Sequence, residues 1–139
     1  MSSNNHCSLT GNLVRDPELR FTNSGRAVAN GRIAVTDRFQ QTDGSWGERT
    51  TFVNIVAWGD LAEQMAVSLE KGDHITVVGE LRIRDFVRTD GTKQYVTEIN
   101  CSNVSASLRF TSAQLDRKPK AEQAEGAVEV DYSEDAPFV

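Results

Sequence analysis

Apolar and polar residues alternate with a period of two along much of the chain, and this period predicts β-strands. The predicted strands cover residues 9–13, 27–35, 50–58, 74–83 and 93–101. Asn23-Ser24-Gly25 and Asp90-Gly91 have the composition of turns, and the second predicts a hairpin between the last two strands. Residues 39–49 lack a sustained pattern and are predicted to form a long polar connection.

The period changes between the third and fourth predicted strands. Leu61, Met65 and Leu69 recur every four residues, which predicts a helix over residues 60–70. The resulting order is three strands, one helix and two strands. This order favours an OB-fold, a five-stranded Greek-key barrel whose open face binds oligonucleotides or oligosaccharides. An SH3-like barrel or a β-sandwich is also compatible with the pattern.

Charge divides the chain into two parts. The 139 residues carry a net charge of −5, which argues against a polyanionic partner if it is evenly spread. Residues 121–139 contain six acidic residues and no Lys or Arg, whereas residues 1–120 have a net charge of +1. We therefore predict an OB-fold domain over residues 1–110 and a disordered linker with an acidic tail over residues 111–139. Its apolar end, Pro137-Phe138-Val139, suggests docking to another protein.

Several classes of protein are not expected. The longest apolar run has four residues, whereas a membrane-spanning helix needs about 20. The polar start of the chain has no signal-peptide core, so Cys7 and Cys101 are expected to be reduced thiols in the cytoplasm. No CxxC, HExxH or glycine-rich phosphate loop occurs, and neither a metal nor a cofactor is predicted.

The aromatic residues point to a function. Phe52 and Trp58 share a strand face with Asn54, opposite the aliphatic face, and Phe86 continues the face of Arg82 and Arg84. Phe39 and Trp46 lie near Arg38 and Arg49. Single-stranded nucleic acids bind where bases stack on rings while cations follow the phosphates. A dimer interface or a second small core would also explain any one of these rings.

The chain resembles the bacterial single-stranded DNA-binding proteins, including phage-encoded forms, over about residues 7–110. The similar stretches are Gly11-Asn12-Leu13, Asp16-Pro17-Glu18-Leu19-Arg20-Phe21, Ser24-Gly25, Ala27-Val28-Ala29-Asn30, Trp58-Gly59, Leu61-Ala62-Glu63, Lys71-Gly72-Asp73, Gly79-Glu80-Leu81-Arg82 and Tyr95-Val96-Thr97-Glu98. The acidic end is similar to the family's tip, which recruits replication and repair proteins. The resemblance also implies a homotetramer around which the DNA wraps.

These observations together predict a non-enzymatic, sequence-independent coat for single-stranded DNA in replication, recombination and repair. Its expected place is the cytoplasm, in association with the nucleoid. The residues predicted to stack on bases are Phe39, Trp46, Phe52, Trp58 and Phe86. Phosphates are predicted to contact Arg20, Arg32, Arg38, Arg82, Arg84 and Lys93. The predicted protein-docking tip is Glu134, Asp135, Pro137 and Phe138, and the acidic tail is expected to compete with DNA for the basic groove.

Three other hypotheses are compatible with the sequence. The chain could be an OB-fold adaptor in a replication or recombination complex, with only weak affinity for DNA. It could be an enzyme that uses Cys7 or Cys101. It could also bind RNA, because stacking on single strands does not by itself exclude the 2′-hydroxyl.

Overall fold

The structure, a computed structural model, describes residues 3–117. The acidic tail and its predicted tip lie outside this range. The elements are β1 (Cys7–Leu13), β2 (Glu18–Phe21), β3 (Ala27–Gln40), β4 (Trp46–Trp58), α1 (Asp60–Ser68), β5 (His74–Val87) and β6 (Lys93–Ala106). In this part of the chain, no helix is long and apolar enough to cross a membrane.

Five long strands close into a barrel in the order β1-β5-β6-β4-β3, and β3 returns to β1. Every neighbouring pair is antiparallel except β4 and β6, which run parallel. The barrel closes where Asn12 and Leu13 of β1 pair with Ala34 and Ile33 of β3. This closed barrel, with its single helix between β4 and β5, confirms the predicted five-stranded OB-fold.

The core lies inside the barrel and is covered at one end by α1. Alternate residues of the strands point inward, as the period-two pattern requires. The buried side chains include Leu13, Ala29, Ile33, Ile55, Ala57, Ile75, Val77 and Ile99 from the strands, and Ala62 and Met65 from the helix. Because one face of each strand fills the core, the opposite face is available for binding.

The predicted connection over residues 39–49 is wrong. β3 and β4 stay paired from Val28 and Trp58 as far as Gln40 and Trp46, leaving only residues 41–45 as the turn. This end of the hairpin extends past the barrel, so neither face has to be apolar and the alternation disappears. β5 likewise continues beyond its predicted end at Ile83 as far as Val87. β6 begins at Lys93 as predicted, after a turn at residues 88–92, and continues past its predicted end at Cys101 as far as Ala106.

Two other differences from the sequence-based prediction are local. β2 was not predicted, because it has only four residues and pairs with β3 alone, along its N-terminal part. The helix ends at Ser68 instead of residue 70, since Leu69 has an extended backbone. Neither difference changes the order of strands in the barrel.

A β-bulge shapes the β5–β6 pair. The register shifts between Val78 and Gly79, so that Ser102 has no partner on β5. A Cβ atom at Gly79 would lie 2.1 Å from the carbonyl oxygen of Asn100, and only glycine permits this approach. The bulge thereby sets which β6 side chains, including Asn100, point away from the core.

Candidate nucleic-acid interface

One face of the sheet collects most of the residues that the sequence selected. The register pairs Phe52 with Ala34, Trp58 with Val28 and Arg82 with Glu98, so the outward side chains of four strands lie side by side. We call this surface the aromatic face. It comprises Arg20, Arg32, Arg38, Trp46, Phe52, Trp58, Arg82, Arg84, Phe86, Glu98 and Asn100. The predicted separation of Phe52, Trp58 and Phe86 from the core face is confirmed.

Arginine side chains cover the rings of this hairpin. The guanidinium carbon of Arg26 lies 4.6 Å from the centroid of the Trp58 ring, and that of Arg32 lies 5.1 Å from the Phe52 ring. At such distances the cation is attracted to the face of the ring. A base that stacks on either ring therefore brings its phosphate close to a positive charge.

The outer end of the β3–β4 hairpin carries two similar pairs, on opposite faces. Arg38 lies 5.9 Å from the ring centroid of Trp46, and both extend the aromatic face. Arg49 lies 5.0 Å from the ring centroid of Phe39. Since Phe39 is an odd-numbered residue of β3, it leaves the hairpin on the reverse side. The structure thus separates Phe39 from the other four rings.

The remaining predicted phosphate contacts are neutralised by acidic neighbours. Arg20 pairs with Glu18 at 2.5 Å and Arg82 with Glu80 at 2.7 Å. Two further pairs are Arg84 with Glu98 at 3.1 Å and Lys93 with Asp85 at 3.6 Å. Lys93 also lies on the reverse side of its hairpin, because it pairs with Val87. Within residues 3–117, Arg26, Arg32 and Arg38 form no such salt bridge.

A groove runs across the aromatic face between Trp58 on β4 and Arg84 on β5. Its volume is about 530 Å³, and Val56, Glu98 and Asn100 lie along it. The groove is open and is lined by both apolar and polar side chains, so the bases and the backbone of a nucleic acid could both reach it. Glu98 is 92% buried. An acidic residue on this face was not expected from the sequence.

The sequence-based selection also missed Arg26. This residue closes the β2–β3 turn, where its backbone N–H donates to the Thr22 hydroxyl and its carbonyl accepts from the Thr22 N–H. It lies outside the predicted strand, and only the pairing of Val28 with Trp58 brings it to the ring. A correct register for this hairpin would have identified it.

Cys101 is a buried thiol that is poorly suited to act as a nucleophile. Burial raises the pKa of the Cys101 thiol to about 11, so the thiol stays protonated near neutral pH. Cys7 is half-buried on β1. Among residues 3–117, no three His, Cys, Asp or Glu side chains are grouped as a metal site would need. The hypothesis of an enzyme that uses Cys101 as a nucleophile therefore loses its physical basis.

Sequence comparison agrees with the fold. The profile of the family described as "Single-strand binding protein family" matches residues 4–107, which span the whole barrel. This match covers the whole aromatic face and ends just after β6. Because the family is one of binding proteins, it confirms the predicted absence of enzymatic activity.

Curated relatives carry the same description. The chain is 41% identical over 115 residues to the single-stranded DNA-binding protein of Corynebacterium glutamicum, covering 81% of this chain and 51% of the relative. It thus spans about half the length of that relative. The Mycolicibacterium smegmatis protein of the same name is 36% identical over 87% of this chain and 74% of its own length. From its profile match and these similarities, the chain belongs to the single-strand binding protein family.

Proposed function

We propose that this protein binds single-stranded DNA on its aromatic face. The binding is independent of the DNA sequence as a whole, and it protects the DNA during replication, recombination and repair. Bases stack on Trp46, Phe52, Trp58 and Phe86, and cations hold the phosphates between them. The relatives named above are bacterial single-stranded DNA-binding proteins, which supports this assignment. Its place in the cell is then the cytoplasm, with the nucleoid.

The observation that carries the proposal is the set of rings paired with arginines. Phe52 and Trp46 are 54% and 63% exposed, although both are large and apolar. An exposed ring with an arginine beside it can stack with any nucleobase, because every base has a π-face. A duplex keeps its bases stacked on each other and cannot offer them to the rings.

The test is a titration of the full chain with oligo-dT and with a duplex of equal length. The two tryptophans, Trp46 and Trp58, are both on the aromatic face, so stacking should quench the intrinsic fluorescence. We expect oligo-dT to quench the fluorescence and to bind at least about thirtyfold more tightly than the duplex, because two stacked bases contribute at least about 2 kcal/mol. Equal affinity for both would contradict the proposal.

Assembly and partners form the finer part of the proposal. Residues Cys7–Gly11 of β1 pair with β5 on one side only, and their other edge is unpaired within the described residues. Such an edge can pair with another copy of the chain, which supports the proposed homotetramer. Measuring the mass of the protein in solution, with and without long oligo-dT, tests this assembly.

We also propose that residues 1–110 are the folded domain and that residues 111–139 are a tail that recruits replication and repair proteins.

The acidic tail should compete with DNA. Removing residues 121–139 changes the net charge from −5 to +1, because that segment has six acidic residues and no Lys or Arg. We expect the truncated chain to bind oligo-dT several-fold more tightly at low salt and equally at high salt, where charges are screened. Salt-independent or unchanged binding would contradict this competition.

A further inference from the structure

The groove beside Trp58 contains hydrogen-bond acceptors that no protein group satisfies. Glu98 accepts a bond from the Arg84 Nε–H on its Oε1 atom, at 3.1 Å. Its Oε2 atom has no hydrogen-bond partner among the described residues and is accessible from the groove. Two residues along β6, the buried Oδ1 atom of Asn100 also has none. Since residues i and i+2 of a strand share a face, both acceptors point to the same side.

Of the two acceptors, the Asn100 Oδ1 atom is the buried one, and leaving it without a hydrogen bond is costly unless an ordered water or a ligand supplies the donor. The carboxylate of Glu98 repels phosphates, so the DNA backbone will not occupy this part of the groove. A nucleobase can occupy it, because an exocyclic amine donates two hydrogen bonds. Carboxylates accept such bonds from cytosine N4 in other protein–DNA interfaces.

We infer that Glu98 and Asn100 form a base-edge subsite that takes nucleobases with an exocyclic amine in preference to thymine or uracil. This inference rests on the proposed binding of single-stranded DNA. The base stacks against Trp58, its edge turns toward β6, and Arg82 and Arg84 flank the groove. The corresponding edge of uracil has one N–H between two carbonyl oxygens. These oxygens are acceptors and would repel the acceptor oxygens of Glu98 and Asn100.

The alternative is that Glu98 only positions Arg84 for a phosphate. The two roles differ in what they do to base preference. A positioning role affects every oligonucleotide equally, because all have the same backbone. A base-reading role affects only those that carry the amine. Cytosine and uracil are the sharpest comparison, since they share a ring and lack the thymine methyl.

The experiment measures the affinities of the full chain for oligo-dC and oligo-dU of equal length, at one salt concentration. We expect the native chain to favour oligo-dC. Glu98→Gln and, separately, Asn100→Ala should each lower the dC-to-dU affinity ratio by about three- to tenfold, the effect of one hydrogen bond. The Asn100 Oδ1 atom has no partner among residues 3–117, so Asn100→Ala is a second test if Glu98→Gln is poorly folded.

Arg38→Gln is the matched control, because Arg38 lies beside Trp46 and outside the groove, and it should weaken binding to both oligonucleotides while leaving their ratio unchanged. If both β6 variants keep the native ratio, the subsite is overturned and Glu98 is a positioning residue. If the native chain binds both oligonucleotides equally, the subsite is likewise overturned while single-strand binding stands. If it binds neither, the proposed function itself fails.

Discussion

Replacing both Phe52 and Trp58 by alanine is expected to weaken binding to oligo-dT by at least about thirtyfold. Each base stacked on an aromatic ring contributes roughly 1–3 kcal/mol, and the variant removes two rings on adjacent parts of one strand. The pairing of Phe52 with Ala34 and of Trp58 with Val28 puts both rings on the aromatic face. The measurement is an equilibrium titration with a fluorescent oligo-dT, which does not depend on the lost tryptophan.

Phe110→Ala is the matched control for that variant. Phe110 is also exposed and also has an arginine near its ring, with the guanidinium carbon of Arg109 5.4 Å from the centroid. It lies after β6 and packs against His74, away from the aromatic face. We expect Phe110→Ala to bind oligo-dT like the native chain. Equal losses in both variants would mean that general destabilisation, not stacking, caused them.

Replacing Arg26 and Arg38 by glutamine is expected to flatten the salt dependence of binding. Each phosphate neutralised on a single strand contributes about −0.7 to the slope of log affinity against log salt, so two contacts contribute about −1.4. If the native and variant chains bind equally at 1 M salt, the variant then binds about 25-fold more weakly than the native chain at 0.1 M salt. These two arginines lie over Trp58 and Trp46 and form no salt bridge within residues 3–117.

The matched control is Arg20→Gln with Lys93→Gln, which removes the same number of charges. Both cations already have acidic partners, Glu18 and Asp85, so their net contribution to a phosphate contact is smaller. We expect the slope to change by less than half as much as in the first pair. If the control flattens the slope equally, the pairing with acids does not decide which cations hold DNA.

The sequence was informative wherever one side of a strand is buried. The inward positions of β3, β4 and β5 were predicted from alternation alone, because the core demands apolar side chains at every second residue. The same alternation separated Phe52 and Trp58 from the core. It failed at the hairpin ends, where both faces meet water. It also failed at β2, whose four residues are too few to show a period.

The charges of the site could not be predicted in the same way. Arg20 and Arg82 pair with acids two residues away on their own strands, which is a spacing visible in the sequence. Arg84, in contrast, meets Glu98 from 14 residues away, and only the register brings the two together. Arg26 reaches Trp58 from just before β3, because the register pairs Val28 with Trp58. Residue type suggested which side chains could bind DNA. Spacing along a strand and register between strands together decide which of them have acidic partners.

The central claim is that bases lie on the aromatic face, and photocrosslinking tests it most directly. An oligo-dT carrying 5-iododeoxyuridine would be irradiated on the full chain, and the crosslinked residues identified by mass spectrometry. We expect crosslinks at Trp46, Phe52, Trp58 and Phe86. Crosslinks confined to Tyr95 and Phe110, exposed rings that lie outside the aromatic face, would contradict the account.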